Sequence, residues 1–285
     1  MIIRNQYHCF ISGLPNLSFD DQKEWISIAA FKKMLEENLH PDDYNQVELV
    51  FLEEDHKSLA RYLDSGEVQP GGTGNYTISD YREQKEIFSA ILPPRDILPD
   101  YMVRIMKESL EDSEGFDKVN AEHKLAEGYF HHIINNGSPF LKAYTEFIFN
   151  MNNLLAFIKA GKHGLEQDPF ITGGSEHAGH LRNYAGRSLA KDPEFEFFDE
   201  IMSYTGSDSF AGEEKKYDRL KWNIIDDMIF FEDFSIDRIL GYLQQMLILN
   251  RWSSLKKESG ENRLRNIVHS AWQKPEARND SGGLI

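Results

Sequence analysis

The stretch from Glu213 to Trp252 constrains this chain more than any other. It reads EEKKYDRLKWNIIDDMIFFEDFSIDRILGYLQQMLILNRW, two apolar helical patterns joined by an acidic break. In the second pattern Ile236, Ile239, Leu240, Leu243 and Leu247 recur at helical spacing, and Tyr242, Met246 and Leu249 widen the stripe. A helix apolar nearly all round is buried on most of its sides, by its own bundle or by a partner. Catalytic residue types are nowhere as dense as these packing residues. The balance points to a helical scaffold or coupling protein before an enzyme.

Composition sets the outer bounds. At 285 residues the chain suits one large or two modest domains. Its 19 Phe, 12 Tyr and 4 Trp supply a heavy core, so disorder over most of the length is not expected. A net charge of −16 argues against non-specific nucleic-acid binding, which needs cations to displace phosphate counterions. The same charge disfavours anionic lipid head groups. The acid is patchy. Eight carboxylates and no Lys or Arg lie between Met34 and His56, and five acids without a base lie from Trp222 through Asp237. Such runs are usually solvated surface, and their sharper reading is a face that meets a basic partner.

The single cysteine, Cys9, excludes an intramolecular disulfide and a thiolate zinc site. Its place in an apolar alternation predicts a buried, inert thiol. No signal-peptide pattern and no run of 18 apolar residues is read, so a cytoplasmic protein with only indirect membrane contact is expected.

The pattern predicts a mostly α multi-helix bundle with at most a small β element near the N-terminus. Tyr7 to Leu14 and Val47 to Leu52 read as short strands. A helix capped by Asp20 or Asp21 runs to about His40-Pro41, and another spans about Glu53 to Leu63. Further helices are expected over 78–92, 100–110, 194–204, 213–230, 235–252 and 258–272, with a hairpin of 117–135 and 139–160 around Asn135-Asn136-Gly137-Ser138-Pro139. Residues 161–192 read as a loop or short broken helices. One largely helical domain over 1–272 is expected, with lobes of 1–64 plus 193–272 and of 76–192. Residues 65–75 read as a flexible linker and 273–285 as a disordered tail.

Candidate chemistry is thin. Pro70 to Asn75 is glycine-rich, but no Lys follows and no strand precedes, so a phosphate loop is not supported. Glu37/His40 and Glu53/His56 have the ExxH spacing of di-iron bundles, which also need a Glu from each of two further helices. Capping explains both pairs, with His40 at a helix C-terminus and Glu53 in a first turn. His131 and His132 are adjacent and diverge by about 100° on a helix, and Glu127 is one turn from His131. His177 and His180, with Glu176, form the best metal candidate. Neighbouring acids Asp199/Glu200 and Asp226/Asp227 face different ways and suit solvent rather than acid–base work. No nucleophile elbow occurs. The sequence therefore assigns no catalytic, cofactor-binding or metal residues. A metal-dependent enzyme using His177/His180 and an all-α adaptor or regulatory protein stand as alternatives.

Four segments carry a resemblance: Tyr7 to Asp21, Asn152 to Gly161, Glu213 to Asn223, and Phe234 through Trp252. Together they resemble an uncharacterised bacterial family, known only as a domain of unknown function, whose genes lie among those of V/A-type ATPases. The family is taken to stand in for the C-type connector of those enzymes, also called the d-type. That connector is an all-helical funnel between the rotating central stalk and the membrane proteolipid ring. The resemblance implies a mechanical role without bond chemistry, with ATPase stalk and ring subunits as partners. This chain departs from the C-type connector in length and in lacking a threefold helical repeat.

Overall fold

The computed structural model describes residues 5–20, 26–68, 72–90, 94–111, 117–173, 175–184, 197–205 and 210–254. These residues form eleven α-helices and one 3₁₀ turn, with no strand among them. None of the described helices is long and apolar enough to cross a membrane. The expected helix over 258–272 and the tail lie outside the described residues.

Local chemistry starts and stops the helices. Ser27 Oγ accepts from the Ala30 amide at the head of α2, Ile28–Asn38, following the short α1, His8–Gly13. His40 caps α3, Pro41–Ser65, which ends on Gly66 at φ 72°. In α4, Ile78–Ser89, the Asp80 carboxylate accepts from the Thr77 amide at 2.6 Å. After α5, Asp100–Glu111, Asp117 caps α6, Lys118–Asn136, and Ser138 caps α7, Pro139–Lys162. The chain then passes through α8, Glu176–Arg182, α9, Phe198–Tyr204, α10, Phe210–Met228, and α11, Ile236–Ser254. The hairpin of α6 and α7 turns where the Asn-Asn-Gly-Ser-Pro segment places it, and α10 and α11 pack together across the acidic break.

Both strand expectations are overturned. Tyr7 to Leu14 is mostly α1, whose Phe10 and Ile11 pack with Leu14 against one apolar core, and no strand occurs among the described residues for it to pair with. Cys9 is consequently exposed rather than buried. Val47 to Leu52 lies inside α3. There Val47, Val50 and Phe51 enter one core while Leu52 and Leu59 enter another. Burial on two faces produces an apolar run that imitates a strand. For the same reason the helix expected from Glu53 is one continuous helix from Pro41, and Glu53 sits near its middle.

Three apolar cores result. The first gathers Phe31, Leu35, Val47 and Phe51 with Phe140, Trp222, Ile225 and the inner face of α11. A second collects Leu52, Leu59, Tyr81, Met102, Met106 and Leu125 from α3 to α6. The third joins Met151, Leu154 and Ile158 of α7 to α8, α9 and Tyr217 and Leu220 of α10. Uninterrupted helices cross between cores: α3 and α6 link the second to the first, and α7 and α10 link the first to the third. At 25 residues, α3 alone spans roughly 37 Å.

Candidate functional site

The histidines singled out above disperse into separate surroundings. His40 is an N-cap, its Nδ1 accepting from the Asp42 amide at 3.3 Å, and so stands at the opposite helix end from the one expected. Glu37 pairs with Lys33 and Glu53 with Lys57, both on exposed faces. His56 is buried. Its Nε2 meets the Tyr101 hydroxyl, and its ring stands edge-on to Tyr101 and Tyr129. Burial, with Lys57 and His132 adding positive charge, pushes its pKa down to about 3.

His131 lies 4.0 Å from Glu127 on the exposed side of α6, and His132 lines a groove of about 810 Å³ with Asp100, Tyr101 and Arg104. His177 and His180 sit on α8, capped by Ser175 Oγ. Glu176 is exposed there, and Arg182 ties the preceding turn through the carbonyls of Ile171 and Gly173. Among the described residues no three His, Cys, Asp or Glu side chains converge where an ion could be held.

The most elaborate polar arrangement is one the sequence did not suggest. Asp55 of α3 is fully buried and accepts from the amides of Asn75 and Tyr76 at 2.9–3.0 Å and from Asn75 Nδ2 at 3.0 Å. Lys32 of α2 donates to the carbonyls of Thr73 and Gly74 and to Asn75 Oδ1. Its ammonium also lies 4.2 Å from the centre of the Phe51 ring. Residues 72–75 of the expected linker are thus fastened between two helices, while 69–71 lie outside the described residues. Desolvation raises the Asp55 pKa against those hydrogen bonds and Lys32, and lowers that of Lys32 against nearby carboxylates.

Side-chain amides fasten other loops in the same way. Gln84 holds Asp96 and the amides of Ile97 and Leu98. Gln46 bridges the carbonyl of Asn136 and the amide of Ser138, and Asn153 exchanges two hydrogen bonds with the backbone of Thr172. A signal for Asp55 was present: Phe51, Leu52 and Leu59 flank it at helical spacing, which puts it on the core stripe. Its backbone partners lie 20 residues away in a glycine-rich segment and leave no pattern.

The other pronounced feature is the end of the α10–α11 hairpin. Gly241 lets the helices close, because a Cβ there would fall 2.6 Å from Ile229 Cγ2. Asp218, also buried, accepts from Trp252 Nε1 and pairs with Arg251 across the hairpin and with Lys221 on its own helix. Where the chain turns, Ile229 points inward while Phe230 and Phe231 are 69% and 88% exposed. Their rings are perpendicular at 4.8 Å between centroids. Asp226, Asp227 and Asp233, their close neighbours in sequence, are exposed residues.

Fold and surfaces together define an all-α protein of multiple packed helices. Residues 4–273 match the family described as "Protein of unknown function (DUF2764)", and the chain belongs to that family. No curated protein and no solved structure matches it.

Proposed function

We propose that the chain is a non-catalytic component of a V/A-type ATPase, a C-type connector between the central stalk and the proteolipid ring. The observation that carries this reading is the continuity of α3, α6, α7 and α10 through three cores. A load applied at one end of such a body passes along helix backbones and close-packed side chains, which deform little. Side-chain amides and the Asp55–Lys32 network clamp the intervening loops, so rotation of one end is not absorbed by loop motion. The protein acts on the cytoplasmic side of the membrane and meets the bilayer only through the ring. Its work is positional, with no bond made or broken.

The test is isolation of the intact ATPase from cells carrying a tagged full-length chain. Stoichiometric recovery with stalk and ring subunits is expected. Consistent recovery of a complete ATPase lacking this chain would overturn the proposal.

A further inference from the structure

Among the described large apolar residues, no other two sequence neighbours are both as exposed as Phe230 and Phe231. At these exposures the two rings leave roughly 300 Å² of apolar surface in water, the scale of a functional patch. The turn is built rather than frayed. The amide of Glu232 donates to the Ile229 carbonyl at 3.0 Å, and Ser235 Oγ donates to Glu232 at 2.6 Å. The Tyr7 amide donates to the Phe234 carbonyl at 2.8 Å, with the His8 ring 3.9 Å from that of Phe234. The fold thus buries Ile229, packs Phe234 against α1, and presents the two phenylalanines between them.

The surroundings select the partner. From Trp222 through Asp237 there is no Lys or Arg, and Asp226, Asp227, Glu232 and Asp233 flank the rings. The nearest Lys or Arg in sequence, Arg238, donates to the Ile229 carbonyl at 3.4 Å. Anionic head groups would be repelled by this collar. A second copy brings the same net charge of −16, and its basic recess at Tyr62, Arg82 and Lys85 includes Glu86. We infer that the Phe230–Phe231 turn is an anchor that inserts into an apolar socket rimmed by lysine and arginine on a different protein. The aromatic pair supplies buried area and the acidic collar supplies orientation and encounter rate. The inference goes beyond the connector reading and holds for whichever assembly the partner belongs to.

The experiment places benzoylphenylalanine at position 231 of the full chain in its native host, irradiates the cells, and sequences the cross-linked peptides. The expected product joins the turn to one protein, through a peptide bearing apolar residues beside Lys or Arg. Its yield falls about tenfold when Asp226→Asn, Asp227→Asn and Asp233→Asn are combined, consistent with loss of steering and orientation. Each variant is checked for an unchanged unfolding midpoint, and a Phe230→Ser chain carrying the same probe is expected to lose the product. Cross-links to a second copy, to lipid or to nothing overturn the inference, as does a yield indifferent to the collar. A basic partner outside the ATPase would sustain it while refuting the connector reading.

Discussion

Two acid-rich stretches that look alike in sequence put their exposed acids in different company in the fold. Between Met34 and His56, α3 carries Asp55 into the interior, where backbone amides and Lys32 meet it. Even Glu48, at the exposed rim, has its pKa raised by desolvation with Lys32 opposing. In the stretch from Trp222 through Asp237, the residues at 226, 227 and 233 are exposed and flank the exposed aromatic pair in sequence, Asp226 also accepting from Gln245 of α11. Each run sends one acid inward, Asp55 in the first and Asp237 in the second, but only the second sets exposed acids beside exposed aromatic rings in the sequence. What separates them is the company each carboxylate keeps on its helix. Asp55 has Phe51, Leu52 and Leu59 on its own stripe, whereas Asp226 and Asp227 lie beside the stripe of Trp222, Ile225 and Ile229.

The comparison breaks most directly at Asp55. Asp55→Ala removes the acceptor from two backbone amides and leaves Lys32 half-buried without its countercharge, and is expected to cost about 3–5 kcal/mol in urea unfolding. A loss below about 1 kcal/mol would mean the network is solvated and the two acid runs are equivalent.

Next is Gly74, where an added Cβ would lie 2.2 Å from Asp55 Oδ1. Gly74→Ala should cost about 2 kcal/mol, since Asp55 or the segment holding it must move. Gly241→Ala tests the display side. Its contacts are the buried, β-branched side chains of Ile229 at 2.6 Å and Ile225 at 3.3 Å, which are stiff at χ1, so a loss of about 2 kcal/mol is expected by calorimetry.

Acid sharpens the contrast again. The His56 pKa in the folded protein is about 3, below the ordinary value of 6.5, so its stabilising contribution is present above about pH 6.5 and is lost as pH falls toward 3. Unfolding midpoints should decline over that window, with His56 contributing about 1.4 kcal/mol per pH unit at the steepest. Asp55 has the opposite sign, because its raised pKa means that protonation relieves a buried charge. Asp55→Asn should therefore steepen the acid decline, and a flat profile in the wild type would contradict the burial of His56.

The smallest effects belong to the displayed acids. Combining Asp226→Asn and Asp227→Asn should change stability by no more than about 0.5 kcal/mol. Asp226 accepts a hydrogen bond from Gln245 at 2.7 Å, which an amide oxygen preserves.

Helix type and the α6–α7 hairpin were legible because apolar residues at i, i+3 and i+4 repeat over many turns in α7 and α11, and because Ser138-Pro139 marks a start so clearly. The N-terminal portions were not. Val47 to Leu52 feeds two cores, which erases the one-faced periodicity that identifies a helix, and α1 is too short to show a period. Pro41 reads as a stop for the preceding helix, which it is, but its fixed φ also begins the next one. Candidate metal ligands mislead because spacing places side chains on one face without saying what lies opposite. The residues that proved most connected, Asp55, Gln84 and Asn153, hold distant backbone groups, and main-chain partners carry no sequence signature. Phe230-Phe231 was visible as part of an acidic break. Its exposure was not, since only the turn geometry decides which of five consecutive residues point inward.

The outward-facing sulfur of Cys9 has a practical consequence. This chain has one thiol, and α1 carries it beside the segment that grips Phe234. A maleimide dye would therefore attach at a single address, one residue from the His8 ring that meets Phe234 and in a groove shared with Met34 and Asn38. The molecule comes ready for fluorescence titration without any engineered cysteine.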